Sequence, residues 1–205
     1  MRERPLSAIL ATTLVDVEHV AVARLPVADD ASIDQLARAA SDGDVEAVGR
    51  LYDALAGRIY RYVALRLRRR EDAEDVTQLV FERIVGSLPR YRHSGRPFAA
   101  FAFRVARNAV IDHQRRHRPI EPLGAVAEPA DEVELEALSL RGESIRELHA
   151  AIRRLTPDQQ EAIALRYSAG LSTEEAAQVM GRRAGTIRGL TFRAIESLRR
   201  FLSPD

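Results

Sequence analysis

A chain of 205 residues, 46% of them hydrophobic, is long enough to fold into two small domains with buried cores. The absence of cysteine excludes disulfides, thiolate metal ligands and a cysteine nucleophile. The formal net charge of +1, from 31 basic and 30 acidic residues, argues against a polycation that coats nucleic acid, so only local clusters of charge could bind it.

The composition favours helices over strands, because Leu, Ala and Arg are common and aromatic residues make up only 5% of the chain. We therefore expect an all-α fold. Residues 1–31 show no clean helical period and contain Pro5 and Pro26, which predicts a weakly ordered N-terminal extension. Charged residues interrupt its apolar stretch before it reaches the length of a membrane helix, so we expect neither a signal peptide nor membrane insertion.

Four helices are predicted between residues 32 and 118, which form the first domain. Apolar side chains at helical spacing predict two helices separated at Gly43. A run of arginines followed by acidic residues marks the start of a third helix, which Pro89 ends. Pro97 begins the fourth helix, whose apolar positions are Phe98, Phe101, Val105 and Ile111.

Residues 119–143 contain three prolines, seven acidic residues and one arginine, which predicts a flexible acidic linker. The second domain, residues 144–205, is predicted to contain a helix-turn-helix. Ser172 begins a capping box, Ala177 is the small residue where two helices cross, and Gly181 makes the turn. On the final helix, arginines face away from an apolar stripe. An ordinary helical hairpin with a solvated basic face is the alternative interpretation.

Two longer motifs resemble a known family. The segment DAEDVTQLVF at residues 72–81, followed by FAAFAFRVARNAVID at residues 98–112, resembles region 2 of a sigma-70 family factor. The segment GLSTEEAAQVMGRRAGTIR at residues 170–188 resembles region 4. Their order, and a linker too short for a middle domain, resemble the extracytoplasmic-function type, also called group IV. The resemblance covers residues 43–202.

The resemblance implies a sigma factor that binds core RNA polymerase through its beta and beta-prime subunits, recognises and melts promoter DNA, and initiates transcription. An anti-sigma factor is a further partner that the family allows. The resemblance implies no catalytic residues, no cofactor and no small-molecule substrate, because the chemistry belongs to the polymerase. We expect such a protein in the cytoplasm.

The third helix resembles the surface that docks on the polymerase clamp. The resemblance assigns core polymerase binding to Asp72, Asp75, Gln78 and Phe81. Leu79 stands where the family usually has Glu. The alternative is that the acidic residues only stabilise the helix by complementing its dipole, with a contribution of about 0.3 to 1 kcal/mol each. The two roles are compatible.

The fourth helix and the loop before it resemble the part that opens the promoter, which must stack unpaired bases and neutralise phosphates. The resemblance assigns binding of the minus-10 element to Arg92, His93, Arg96, Phe101, Phe103, Arg104, Arg107, Asn108, Arg115 and Arg116. Core packing is the alternative for Phe98 and Phe101, and we expect Phe103 to be the outward aromatic residue.

The final helix resembles the element that reads the minus-35 sequence, where arginine can bond guanine and an aromatic ring can touch a thymine methyl. The resemblance assigns this role to Arg182, Arg183, Thr186, Arg188, Phe192 and Arg193. Gly189 and Leu190 depart from the family pattern, which often has Ser-Arg there.

Two other functions remain open from the residues alone. A polymerase-independent helix-turn-helix regulator would read paired half-sites as a dimer. A helical module that only sequesters a partner protein would not need its arginines for transcription. His113 and His117 have a metal-ligand spacing, but no third ligand stands at a matching offset, so we expect no metal site. We also hypothesise that the acidic linker screens the DNA-binding faces in the free protein.

Overall fold

The structure is a computed structural model that describes residues 30–67, 69–92, 95–117 and 140–202. The predicted N-terminal extension, apart from its last two residues, and most of the predicted linker lie outside these ranges. Within these ranges the chain forms helices and turns and no strand, which confirms the all-α prediction. None of the described helices is long and apolar enough to cross a membrane.

The first domain is built from helices whose bounds agree with the predicted ones to within a few residues. They are α1 (Asp30–Ser41), α2 (Val45–Arg66), α3 (Arg70–Ser87), a short 3-10 helix (Leu88–Arg90) and α4 (Phe98–Arg116). Gly43 adopts a φ of +98°, which glycine tolerates best, and turns the chain between α1 and α2. The Asp44 carboxylate then accepts a hydrogen bond from the Ala47 amide at 3.1 Å and caps α2.

The buried face of α4 consists mainly of small residues, which the spacing of its large residues did not indicate. The residues with no exposed surface are Phe98, Ala99, Ala102, Phe103, Ala106, Ala109 and Val110. Ile111, which was expected on the apolar face, is 38% exposed, so that part of the prediction is wrong. Alanine side chains allow neighbouring helices to approach closely, so the side of α4 that carries them becomes the buried one.

The second domain consists of α5 (Leu140–Arg153), α6 (Pro157–Ile163), a π-helical turn (Ala164–Ser168), α7 (Thr173–Met180) and α8 (Ala184–Leu202). Thr156 caps α6 and Ser172 caps α7, each in a reciprocal capping box, and the box at Ser172 confirms the sequence prediction. α5, α6 and α8 enclose an apolar cluster around Leu148, Ile163 and Leu198. These contacts hold the helices of this domain together.

The two domains pack against each other. α4 lies against α7, and α2 lies against the π-helical turn. Buried apolar residues of the first domain are continuous with Leu165, Ala169 and Leu171 of the second. The second domain therefore covers part of the outer surface of α2 and α4.

Candidate nucleic-acid and polymerase interfaces

A cavity of about 310 Å³ lies where the 3-10 helix and the following loop meet α4. Four of the residues assigned to the minus-10 element line this cavity: Arg92, Arg96, Phe101 and Arg104. Other residues that line the cavity include Tyr91, Pro97 and Gln178. The fold thus brings guanidinium groups and aromatic rings together in one cavity. His93 lies outside the described residues.

Three aromatic rings pack together beside the cavity. The ring centroid of Tyr91 lies 5.0 Å from that of Phe98 and 5.5 Å from that of Phe101, and the two phenylalanine rings are 5.4 Å apart. Phe98 is fully buried, whereas Phe101 is half-buried and faces the cavity with its remaining surface. Phe101 therefore packs against the core and also lines the cavity.

Phe103 does not face outward, and the prediction that it does is wrong. Its side chain has no exposed surface. The ring packs edge-on against Tyr62 with centroids 5.7 Å apart, and the Arg58 guanidinium carbon lies 5.6 Å from its centroid. Phe103 follows Ala99 by four residues and precedes Ala106 by three, so all three lie on the buried side of α4.

The polar residues assigned to α4 have different surroundings. Asn108 is exposed, and so are Arg115 and Arg116 near the end of the helix, where both interact with Asp112. Arg104 is also exposed and Arg107 is half-buried, and both contact the second domain. The Arg104 Nη2 donates to the backbone oxygen of Gln178 at 3.1 Å.

Glu161, on α6, is the centre of a buried polar cluster between the domains. Its carboxylate is 3.3 Å from Arg66 Nε and 3.6 Å from Arg107 Nε. Tyr62 donates its hydroxyl proton to Glu161 Oε1 at 2.7 Å. Burial, together with the charge of Glu161, raises the pKa of Tyr62 well above its ordinary value, so the tyrosine hydroxyl remains a donor.

Further hydrogen bonds between the domains surround this cluster. Arg58 Nε donates to the carbonyl oxygen of Ala169 at 2.8 Å, and Arg66 Nη1 donates to the side chain of Gln160 at 3.0 Å. Sequence reasoning did not identify Glu161 or Tyr62 as site residues. Their separation of 99 residues leaves no local pattern that would pair them.

The face of α3 assigned to polymerase binding is partly exposed. Asp75 and Gln78 are exposed, and Gln78 donates to Glu82 at 3.1 Å. Asp72 is half-buried, with its carboxylate 3.4 Å from the His113 ring. The described residues contain no group of three or more metal-ligating side chains.

Phe81 is only 7% exposed, so its assignment to the polymerase-binding surface is wrong as far as direct contact is concerned. Tyr52, from α2, covers it with ring centroids 4.4 Å apart and is itself 50% exposed. The residue on this surface that sequence reasoning missed is thus Tyr52. Helical spacing alone groups Tyr52 with the apolar positions of α2 and does not show that its ring reaches the surface.

The helix-turn-helix formed by α7 and α8 has the predicted geometry. Ala177 is buried at the crossing, and Gly181 adopts a left-handed φ of +63° at the end of α7. Within α8 the buried residues are Ile187, Leu190, Ala194 and Leu198, as predicted. The assigned minus-35 residues lie outside this stripe and are all exposed: Arg182, Arg183, Thr186, Arg188, Phe192 and Arg193.

This face of the helix-turn-helix combines positive charge with an exposed aromatic ring. Phe192 is 63% exposed, which is unusual for a phenylalanine in a folded domain. Arg182 and Arg188 form long surface ion pairs with Asp158 and Glu174, at 3.5 and 3.8 Å. Such exposed pairs are weak, so both guanidinium groups can exchange their partners for DNA.

Comparison with known proteins agrees with the division of the chain into two domains. The sigma-70 region 2 family model matches residues 51–120, and the sigma-70 region 4 family model matches residues 145–198. The ECF RNA polymerase sigma factor BldN of Streptomyces coelicolor is 38% identical over 187 residues, which cover 89% of this chain and 71% of BldN.

Two solved structures share the fold at 22% sequence identity. The structure of CnrH in complex with the cytosolic domain of CnrY has a TM-score of 0.66 and covers 83% of this chain and 97% of the matched chain. The structure of the sigma factor RpoE in complex with the anti-sigma factor NepR from Bartonella quintana has a TM-score of 0.60, with coverage of 78% and 99%. At this level of identity the two structures support the fold alone.

The two family matches lie in the order that the resemblance predicted. The chain belongs to the extracytoplasmic-function group of the sigma-70 family, the sigma factors that bind core RNA polymerase and direct it to promoters.

Proposed function

We propose that each domain carries one DNA-binding surface of this sigma factor. Residues 32–118 act as region 2 and residues 144–205 act as region 4, with residues 119–143 as the linker and residues 1–31 as an N-terminal extension. The helices of each domain and the change in composition between them support these proposed boundaries.

We propose that the cavity beside α4 holds the single strand of the minus-10 element. The exposed part of Phe101 suits unpaired bases, and the guanidinium groups of Arg92, Arg96 and Arg104 suit their phosphates. Arg107, Asn108, Arg115 and Arg116 extend this surface along α4. The buried Phe103 supports α4 from within and makes no contact with DNA.

The exposed face of α8 reads the minus-35 element in the major groove. Arg188 and Arg193 bond base edges, Phe192 contacts a thymine methyl, and Arg182, Arg183 and Thr186 contact the backbone. The observation that carries this assignment is the position of Phe192 on the exposed side of α8, opposite the buried stripe, where it has no packing role in this domain.

Core polymerase docks on α3 through Asp72, Asp75 and Gln78, with Tyr52 on the same surface in place of Phe81. The chain itself acts in the cytoplasm without a catalytic residue or cofactor, since phosphodiester chemistry belongs to the polymerase. An anti-sigma factor is a further partner that we propose, because RpoE, which shares the fold, is bound to the anti-sigma factor NepR in its structure.

Run-off transcription with purified core enzyme tests this function. Promoters are first selected from a random DNA library with the reconstituted holoenzyme. Arg188→Ala should then reduce transcription from a selected promoter about tenfold, as the loss of one bidentate base contact predicts. Arg153→Ala, which removes an exposed arginine of α5, is the matched control and should leave transcription unchanged.

The alternative functions predict different results. A polymerase-independent regulator would bind its DNA equally well with and without core enzyme. A module that sequesters a partner protein would confer no start-site selection, and Arg188→Ala would not differ from Arg153→Ala.

A further inference from the structure

The outer face of α8 contains a glycine at a position where most other residues would stabilise the helix more. Gly189 lies in the interior of α8, two residues after the buried Ile187, so it is on the side of the helix opposite the buried stripe. Glycine at such a position lowers helix stability relative to alanine. The base contacts proposed for the neighbouring arginines do not by themselves explain why a glycine stands there.

The guanidinium group of Arg193 lies against Gly189. A Cβ atom on Gly189 would be 3.3 Å from Arg193 Nη1, 3.8 Å from Nη2 and 3.9 Å from Cζ. The shortest of these distances is tighter than an ordinary van der Waals contact. Gly189 is accordingly only partly exposed, although it faces outward. The end of the Arg193 side chain therefore occupies the space that a side chain at position 189 would need.

This contact places the charged end of Arg193 near the middle of the outer face. Long helical side chains point back towards the N-terminus, over the preceding turn. Four residues slightly exceed one helical turn, so the Cα atom of Arg193 lies about 40° to the side of Gly189 around the helix axis. Because the guanidinium group lies against Gly189, it is closer to the middle of the outer face than its own Cα atom is.

Arg193 keeps its hydrogen-bond donors available in this position. Arg182 and Arg188 form ion pairs with Asp158 and Glu174. The side chain of Arg193, in contrast, forms no hydrogen bond or ion pair with another residue in the described part of the chain. An arginine with free donors can bond O6 and N7 of one guanine at the same time. Gly189 thus holds the guanidinium group by packing alone and leaves its donors for a base.

We propose that Gly189 is a positioning residue that directs Arg193 to a base pair of the minus-35 element. The absence of a side chain lets the guanidinium group lie against the helix backbone in the middle of the outer face, where α8 meets the base edges. A side chain at position 189 displaces the guanidinium group towards the flank of α8, where backbone phosphates are the available partners. This inference rests on the proposed role of α8.

Arg193→Ala identifies the base pair concerned. Binding of the reconstituted holoenzyme is measured on copies of a selected promoter in which each base pair of the minus-35 element is replaced in turn. Arg193→Ala should abolish a preference of about tenfold at one base pair and leave the other preferences unchanged. A uniform loss of affinity, with a salt dependence that is shallower by about one counterion, would indicate a phosphate contact and would overturn the proposal.

Substitutions at position 189 then test the positioning. Gly189→Ala places one carbon against the guanidinium group and should weaken the preference at this base pair, whereas Gly189→Val adds two further carbons and should abolish it. Gly185→Ala is the matched control, because Gly185 lies one turn earlier on α8 and a Cβ atom there would meet no described side chain within 4 Å. It brings the same gain in helix propensity and should leave this preference unchanged. The proposal is wrong if Gly189→Val keeps the preference of the wild type.

A double variant separates this effect from a direct clash between position 189 and DNA. If Gly189→Val acts through Arg193, its addition to Arg193→Ala should change neither the affinity nor the base preferences any further. An equal loss of binding from Gly189→Val in the presence and in the absence of Arg193 would overturn the proposal. Circular dichroism checks that every variant is folded.

Failure of this inference is separate from failure of the proposed function. In that case the wild-type holoenzyme would still initiate transcription at its selected promoters, and Arg188→Ala would still reduce that transcription.

Discussion

The Asp34 carboxylate of α1 accepts a hydrogen bond from the backbone amide of Phe98, the first residue of α4, at 2.6 Å. Pro97 occupies the N-cap position of α4 and has no side-chain acceptor of its own. The cap of α4 is therefore supplied from a residue 64 positions earlier in the chain. This contact ties α1 to the helix that we propose to hold the single strand.

Asp34→Ala should lower the free energy of unfolding by about 1 kcal/mol, the usual cost of removing a helix cap. Urea denaturation of the purified chain measures this change. Asp53→Ala, at an exposed position of α2, is the control and should have a much smaller effect. Equal effects of the two substitutions would show that the Asp34 contact does not stabilise α4.

Phe103 and Phe101 should respond differently to truncation. Phe103→Ala removes a fully buried ring and should cost about 3 to 5 kcal/mol of stability. Phe101→Ala removes a half-buried ring, so it should cost less stability but should reduce promoter melting in a permanganate footprint of the holoenzyme. A larger loss of stability from Phe101→Ala than from Phe103→Ala would contradict the burial of the two rings.

Tyr52 and Phe81 form a pair in which one ring is exposed and the other supports it. Tyr52→Ala should weaken binding to core polymerase several-fold with little loss of stability, whereas Phe81→Ala should mainly destabilise the domain. Competition for core enzyme against a labelled wild-type chain measures the first effect, and thermal unfolding measures the second. Val45→Ala, at the 82% exposed start of α2, is a control for both.

His149 on α5 should make stability depend on pH. Burial, and to a lesser degree the charge of Arg153, lower the pKa of His149 below its ordinary value of 6.5. The folded chain therefore resists protonation of His149, while the unfolded chain accepts the proton near pH 6.5. By linkage, the contribution of His149 is fully present above pH 6.5 and is lost as the pH falls below that value towards the folded pKa.

Urea denaturation of the wild type and of His149→Gln at several pH values between 5 and 8 measures this dependence. The substituted chain should lose less stability than the wild type as the pH falls below 6.5. Parallel pH profiles for the two proteins would mean that His149 makes no such contribution.

The local sequence was enough to predict the helices, the capping box at Ser172 and the helix-turn-helix, because each depends on residues close together in the chain. Ser172 with Glu175, Gly181 and the buried stripe of α8 all follow from local spacing. The assignment of family and function also came from the sequence, since both motifs are continuous segments.

Which residues of the candidate sites reach the surface depends on how the helices pack in three dimensions. Phe103 is covered because alanines on α4 allow neighbouring helices to approach closely, and Phe81 is covered because Tyr52 of α2 packs over it. The spacing of residues within one helix does not determine either contact. The pairing of Tyr62, Arg66 and Arg107 with Glu161 depends on how two domains dock. Contacts between residues far apart in the chain leave no periodic signal, so only the packed structure reveals them.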